Sequence, residues 1–350
     1  MARAPVVPSP PLRVIRVGNG ISFRLNLRTL AISGVAVVLL VALGASALTL
    51  GSYPLSVTDV IRAVAGSSSE DEEFIVRTLR LPRLLSAVLI GAALAMSGAI
   101  FQGLVRNPLV SPDIIGIDEG ATVAAVFWIV TGRDARLLPL AAFAGAVAAA
   151  ALIYVLSWRG GVRANRLVLV GIGVSAVLSS IVTFLLVRFP IDVVAAAVAW
   201  SAGSVYASDW GDVQLLATTN LALGPLAAVL MWRLRVLQLG DETASTLGMA
   251  VEPTRLVLLG VGCAFAAICV SVAGPIGFVA LMVPHVARML AGPMTGGVLV
   301  VTALLGAMLL LGSDMIAQHA LPVALPVGVI TAVVGAPYFL FLLYRTNARL

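Results

Sequence analysis

The sequence predicts an all-α fold, a polytopic membrane helical bundle of about ten transmembrane helices, and three observations carry that prediction. Hydrophobic residues make up 60% of the 350-residue chain and charged residues 11%, with a mean hydropathy of +1.08. The apolar residues come in runs of about twenty, enough to cross about 30 Å of hydrocarbon as helix. The runs lack a period of two, so helices rather than barrel strands satisfy the backbone in lipid. Such a composition favours transport over every soluble function.

Residues 1–28 hold five Arg, four Pro and no acidic residue, and read as a disordered cytoplasmic tail. The apolar run after them is longer than the h-region of a signal peptide, so Leu30–Leu50 reads as the first span. A ten-helix domain then fills residues 29–350. Leu84–Leu104 is the second span, preceded by the acidic cluster Glu70, Asp71, Glu72 and Glu73. The third, Ile114–Thr131, is short and carries Asp118 and Glu119 near its start. Leu137–Leu156 and Leu167–Val187 are the fourth and fifth. Val193–Ser208 is uncharged but short and contains Trp200 and Tyr206, which suits an interfacial helix or loop. Val213–Trp232 is the sixth span. The apolar stretch Leu256–Ala287 is too long for one span, and Gly274-Pro275 divides it into a seventh and an eighth. Gly297–Ser313 and Pro326–Tyr344 complete the set.

An even number of spans puts both termini on one side. With the N-terminus cytoplasmic, fifteen of the 22 arginines fall inside and seven outside, as the positive-inside rule requires. The small residues Gly91, Ala95, Ser97, Gly98 and Gly103, and again Gly171, Gly173, Ser175 and Ser179, suit close helix packing in lipid.

The chain has no Lys, so it cannot form a GxxxxGK[ST] phosphate loop. An ATP-driven transporter built on it takes its ATPase from another chain. Cys263 and Cys269 share one apolar run with no further ligand nearby, which reads as two inert thiols and no metal site. His285 and His319 are too far apart for a local metal motif. No nucleophile–base constellation points to an enzyme. The rival transport class, an ion-coupled secondary transporter, places carboxylates in mid-span. Asp118, Glu119 and Asp314 all read as lying near span ends.

Three polar islands carry the remaining information. Arg80-Leu-Pro-Arg83, at the outer end of the second span, is either a pair of interfacial anchors or a fixed positive patch for the carboxylates of a soluble partner. Arg106-Asn-Pro-Leu109 through Asp118-Glu-Gly-Ala121 contains Pro108 and Pro112, so it is an ordered turn rather than a continuous helix. The third island, in the loop 238–250, is a two-turn helix. Asp241 suits its N-cap, Glu242 its first turn and Gly248 its C′ position. So short a helix is unstable alone in water, and a cytoplasmic partner is the natural surface for it.

Taken together, Arg80-Leu-Pro-Arg83, Gly91 through Gly98, Gln102 and Arg106-Asn-Pro-Leu109 resemble the FecCD-type permeases. These are the membrane subunits of ABC importers for iron–siderophore complexes, haem and vitamin B12. The resemblance continues through Gly240-Asp-Glu-Thr-Ala244, Leu247-Gly248, Gly274-Pro-Ile-Gly-Phe278, Val283-Pro-His-Val-Ala-Arg288, Leu325-Pro-Val-Gly328 and Gly335-Ala-Pro-Tyr-Phe339, in order, from about residue 54 onward. It implies a multi-pass bacterial inner-membrane permease with two ten-span permease subunits, two ATPase subunits below and a soluble substrate-binding protein above. Arg80 and Arg83 would dock the binding protein. Gly240, Asp241, Glu242, Thr243, Ala244, Leu247 and Gly248 would form the coupling helix seated on the ATPase. Arg163, Ala164 and Asn165 would lie at the cytoplasmic gate. ATP and Mg would be bound by the partner ATPase, with no cofactor on this chain.

The sequence departs from the family pattern at three places. Where an Arg commonly follows Asp-x-x-x as a further docking contact, this chain has Gln318, four residues after Asp314. Ala324 replaces a Glu, and Met294-Thr-Gly296 replaces Asp-His-Arg. Either the binding protein compensates or a different second permease supplies the missing contacts, which leans towards a heterodimer.

Overall fold

The computed structural model describes residues 12–17, 21–159, 161, 164–320 and 322–347. Part of the predicted disordered tail is ordered here. Strands β1, Leu12–Val17, and β2, Ile21–Asn26, pair antiparallel with Leu12 opposite Asn26 and Val17 opposite Ile21. The sequence between them, Gly18-Asn-Gly20, is the composition that tight hairpins use, and β-branched residues flank it. Asn26 then accepts from Arg28 N and starts the first helix.

The rest is helical. In order these are α1, Leu27–Thr49; α2, Val57–Ala65; and α3, Glu70–Glu73, which runs through a π-helical stretch Phe74–Arg80 into α4, Leu81–Val105. Next come α5, Pro112–Ile115; α6, Ile117–Val130; α7, Leu138–Ser157; α8, Ala164–Arg188; and α9, Ile191–Ser201. Then follow α10, Trp210–Leu237; α11, Asp241–Thr246; α12, Val251–Ala273; α13, Val279–Ala291; α14, Gly296–His319; and α15, Val327–Asn347. Reciprocal capping boxes, Ser56 with Asp59, Ser69 with Glu72 and Asp209 with Asp212, start α2, α3 and α10.

Among the described residues, seven helices are long and apolar enough to cross a membrane: α1, the rod Glu70–Val105, α7, α8, α10, α12 and α14. The other three predicted spans fall on α6, α13 and α15. At 14 and 13 residues, α6 and α13 are each about 20 Å long, short of a hydrocarbon core.

α4 sits in the middle of the main hydrophobic core, enclosed by α10, α12, α13 and α14. Two close approaches explain its small residues. Gly91 on α4 and Gly306 on α14 face each other so tightly that a Cβ on either would overlap the other's carbonyl. Gly98 meets the Ala280 carbonyl of α13 in the same way. Ser97 Oγ donates to Gly262 O at 2.7 Å and Gln102 Nε2 to Leu281 O at 2.8 Å, so these two polar side chains of the buried helix are satisfied by neighbouring backbone. Gly173, by contrast, packs against nothing.

A second core lies between α6, α7, α8 and α12. The segment predicted as an interfacial helix or loop is α9, whose Val194 and Ala197 are buried and whose Ala197 packs with Val126 and Val130 of α6. Beyond it, Ser204 N donates to Ala273 O and Gly328 N to Gly203 O. This segment is therefore a helix with one face packed on the bundle and the other exposed. The outward faces of α1 and α8 carry apolar side chains such as Val38, Leu169 and Val187, as a lipid-facing surface requires.

Candidate functional site

At the end where α4 begins, the predicted docking residues are paired within the chain and do not form a free positive patch. Arg83 grips Asp314 of α14 with two hydrogen bonds, Nε to Oδ2 at 3.0 Å and Nη2 to Oδ1 at 2.7 Å. The Arg83 and Asp314 side chains are 13% and 3% exposed. Gln318, one turn further along α14, donates Nε2 to the same Asp314 Oδ2 at 2.7 Å. The Arg83 guanidinium also lies 5.2 Å over the Tyr206 ring. Two residues singled out separately in the sequence thus converge on a carboxylate between them. The i, i+4 spacing of Asp314 and Gln318 was the available signal.

Arg80 does different work. Its Nη1 donates to Leu48 O at 2.6 Å and its Nη2 to Tyr53 O, so the guanidinium closes the carbonyl-rich C-terminal end of α1. Nearby, Trp210 Nε1 donates to Arg77 O at 2.8 Å and ties α10 to the π-helical stretch.

At the opposite end, α11 forms the predicted two-turn helix. Gly240, not Asp241, is its N-cap, with φ of 116°, which only glycine adopts readily, and Asp241 stands at the first helical position and caps no backbone group. Ala244 is fully buried and is its seat, while Glu242, Thr243 and Leu247 are exposed. Asp241 anchors its head: Arg255 of α12 donates Nη2 to both Asp241 carboxylate oxygens, at 2.9 and 3.0 Å. Arg106, the residue after α4, lies 3.8 Å from the same carboxylate and donates to Leu237 O at the end of α10. Arg255 also binds Glu252 at 2.7 Å. Asp241 therefore links α11 to α4 and α12, a role the sequence reading gave to no residue.

Asn165, the described member of the predicted gate, lines one polar pocket together with Arg106, Asp241, Glu242, Thr243 and Arg255. Asn165 of the predicted gate and Gly240 of the predicted coupling loop, 75 residues apart in sequence, thus share one cleft. Arg163 lies outside the described residues, as does the side chain of Ala164. Gly248 ends the element at φ of 82°, as its C′ assignment predicts.

A third polar group lies deeper than the sequence suggested. Arg106 turns left-handed at φ of 57°, and the chain then climbs back between the helices instead of emerging. Asp113 Oδ2 accepts from Phe278 N at 3.4 Å at the head of α13. Gly116 packs on Ser175 of α8, eleven residues past Ala164, or about 16 Å along that helix. The carboxylates of Asp113, Asp118 and Glu119 gather there, Asp118 being 6% exposed. Asp113 Oδ1, Asp118 Oδ1 and Glu119 Oε2 have no hydrogen-bond partner among the described residues. Asp118 and Glu119 stand in the first turn of α6, as the sequence placed them, yet Gly116 just before them packs beside the middle of α8, because α6 is short and a loop holding the single turn α5 precedes it.

Cys269 is buried and Cys263 partly so, both unbridged. His285 meets the Tyr338 ring edge-on at 6.3 Å, and His319 Nδ1 lies 3.0 Å from Met315 O.

Comparison with known proteins agrees with this architecture. The chain is 40% identical over 328 residues to the achromobactin transport system permease protein CbrC of Dickeya dadantii, covering 93% of this chain and 94% of that one. It is 39% identical to the ferric enterobactin transport system permease protein FepG of Escherichia coli, covering 85% and 91%. The cobalamin import system permease protein BtuC of Halobacterium salinarum is 38% identical over 80% of this chain and 76% of its own. Among solved structures, an inward-facing metal-chelate type ABC transporter superposes with a TM-score of 0.82 at 30% identity, over 90% of this chain and 99% of that one. The model of the FecCD transport family matches residues 38–345, and the chain belongs to that family.

Proposed function

We propose that this chain is the permease subunit of an ATP-driven importer that carries iron–siderophore-type chelates across the bacterial cytoplasmic membrane. The observation that carries the reading is α11, a two-turn helix seated by buried Ala244 and held by Arg255, with Glu242 and Leu247 exposed for a partner. The permease relatives for achromobactin and ferric enterobactin support the substrate class. In this reading ten spans cross the bilayer, with α6, α13 and α15 completing the seven longer ones, and both termini are cytoplasmic.

The partners are two ATPase subunits, which bind ATP and Mg, a second permease and a soluble binding protein. ATP binding and hydrolysis move α11, and the Asp241 ion pairs carry that movement to α4 and α12. Asn165, on the wall of the same cleft, moves with it at the cytoplasmic gate. On the outer face the binding protein docks at Arg80, Arg83 and Gln318. A carboxylate of that partner gains Arg83 only by sharing or displacing Asp314, so docking and the α4–α14 contact are coupled.

The test is a pull-down from membranes on a tag at this chain, with every co-purifying protein identified by mass spectrometry. Recovery of an ATP-binding-cassette subunit supports the importer. A second, different permease would favour the heterodimer. Absence of any ATPase under mild detergent would overturn the reading.

A further inference from the structure

An apolar groove opens between α4, α7, α8 and α12. It has a volume of about 380 Å³, with Phe101, Ile115, Tyr154, Leu167, Gly260 and Cys263 among its walls. α7, α8 and α12 are helices long and apolar enough to cross a membrane, so what reaches this groove from outside is hydrocarbon. A gap left unfilled would forfeit dispersion contacts along its whole lining.

One end of the groove is chemically distinct. On α7, Tyr154 is followed by Trp158, their rings 5.6 Å apart, and then by exposed Arg159. On α8, the lining residue Leu167 is preceded by Arg166, which donates one Nη1 hydrogen bond to Ser157 O at 3.1 Å. On α12, the lining residue Leu256 is preceded by Arg255, whose charge is taken by Glu252 and Asp241. Cations and an aromatic pair thus cluster where three apolar walls end, the pattern of a headgroup level.

We propose that this groove is a binding site for one anionic phospholipid, an acyl chain lying along Gly260 and Cys263 and the phosphate held by Arg159 and Arg166. Arg255 and Arg106 together offset Glu252 and Asp241 beside the mouth, so Arg159 and Arg166 supply the positive field that selects an anionic over a zwitterionic headgroup. The site rests on the membrane placement of α7, α8 and α12 and is independent of the importer reading.

The experiment purifies the full chain with whatever subunits accompany it, places it in nanodiscs of equal phosphatidylglycerol and phosphatidylcholine, and counts retained phospholipid by native mass spectrometry. Gly260→Trp obstructs the groove, and a Cβ at Gly260 meets no atom within 4 Å, so the backbone need not shift. The expected result is one retained phosphatidylglycerol per chain, lost at least tenfold in Gly260→Trp. Arg159→Gln with Arg166→Gln should keep lipid but lose the preference for phosphatidylglycerol. If Gly260→Trp fails to fold, Ala151→Trp, on the exposed wall of the groove, makes the same obstruction. Equal retention in wild type and obstructed variant, or no headgroup preference in wild type, overturns the proposal.

Discussion

Replacing Arg83 by Met tests how far the α4–α14 contact depends on charge. Asp314 is 3% exposed and receives two hydrogen bonds from Arg83 and one from Gln318. Without Arg83 it is a buried carboxylate with a single side-chain donor. Removing one member of a buried pair typically costs about 3–5 kcal/mol, most of it the penalty of the stranded charge. Gln318 keeps one hydrogen bond to that charge, worth about 1.5–3 kcal/mol, so the expected loss is near the lower bound, about 3 kcal/mol. Asp314→Asn should cost less, because Arg83 keeps the Tyr206 face at 5.2 Å and some access to solvent. The double variant Arg83→Met with Asp314→Leu removes both charges and should return to within about 1 kcal/mol of wild type. The assay is unfolding of the detergent-purified chain by SDS titration, with all three variants side by side. A loss below 1 kcal/mol for Arg83→Met, or a double variant as weak as that single one, refutes the reasoning. The double variant also separates two roles: if Arg83 docks the binding protein, it folds but no longer captures it.

Three further outcomes follow from the geometry. Gly306→Leu should part α4 from α14 and cost about 1–3 kcal/mol or more, read as lost monodisperse yield, since its Cβ would overlap the Gly91 carbonyl. Asp241→Asn and Arg255→Gln should each lower substrate uptake per ATP hydrolysed in proteoliposomes, and the double variant should lose clearly less than the sum of the singles, because both break the Asp241–Arg255 contact; additive losses would refute a shared contact. Leu247→Arg, at an exposed position, should release the ATPase while leaving stability unchanged, whereas Ala244→Trp should destabilise the chain, since Ala244 is fully buried.

Helix positions were legible because hydrophobicity over twenty residues is a strong local signal, and each predicted span falls on a helix. α11 was legible for a different reason: the acidic first turn, Asp241 and Glu242, and Gly248 at C′ obey end rules that operate within one turn, although Gly240 and not Asp241 is its N-cap. The pairings were not legible. Arg83 and Asp314 lie 231 residues apart, and nothing local distinguishes an arginine awaiting a partner from one already held. The hairpin β1–β2 was missed because Arg and Pro content was weighed over the whole tail, and the alternation around Gly18-Asn-Gly20 was not. Length alone made α9 legible as a short helix, but not that Val194 and Ala197 pack its inner face onto the bundle.

The same limit hid the depth of Asp113, Asp118 and Glu119. Sequence put Asp118 and Glu119 near the start of a span, where they stand in the first turn of α6, and that placement was an argument against ion coupling. α6 is only 14 residues long, so the chain from Arg106 to Gly116, which holds only the single turn α5, must cross the remaining depth mostly as irregular backbone. Irregular backbone at such depth is tolerated only inside protein or beside a water-filled cavity. Three carboxylates beside α8 and the head of α13 are therefore the groups at which any ion coupling would show, and a direct comparison tests them. In proteoliposomes containing the full complex, an ATP-driven importer should carry ferric siderophore with ATP supplied and the proton gradient collapsed by a protonophore. Asp118→Asn should leave that uptake within about twofold, because a buried acid replaced by its neutral isostere keeps its shape and sheds the cost of a charge in low dielectric. Uptake that persists without ATP but vanishes with the protonophore, and is abolished in Asp118→Asn, would make these acids the carrier of the driving ion and overturn the coupling role of α11.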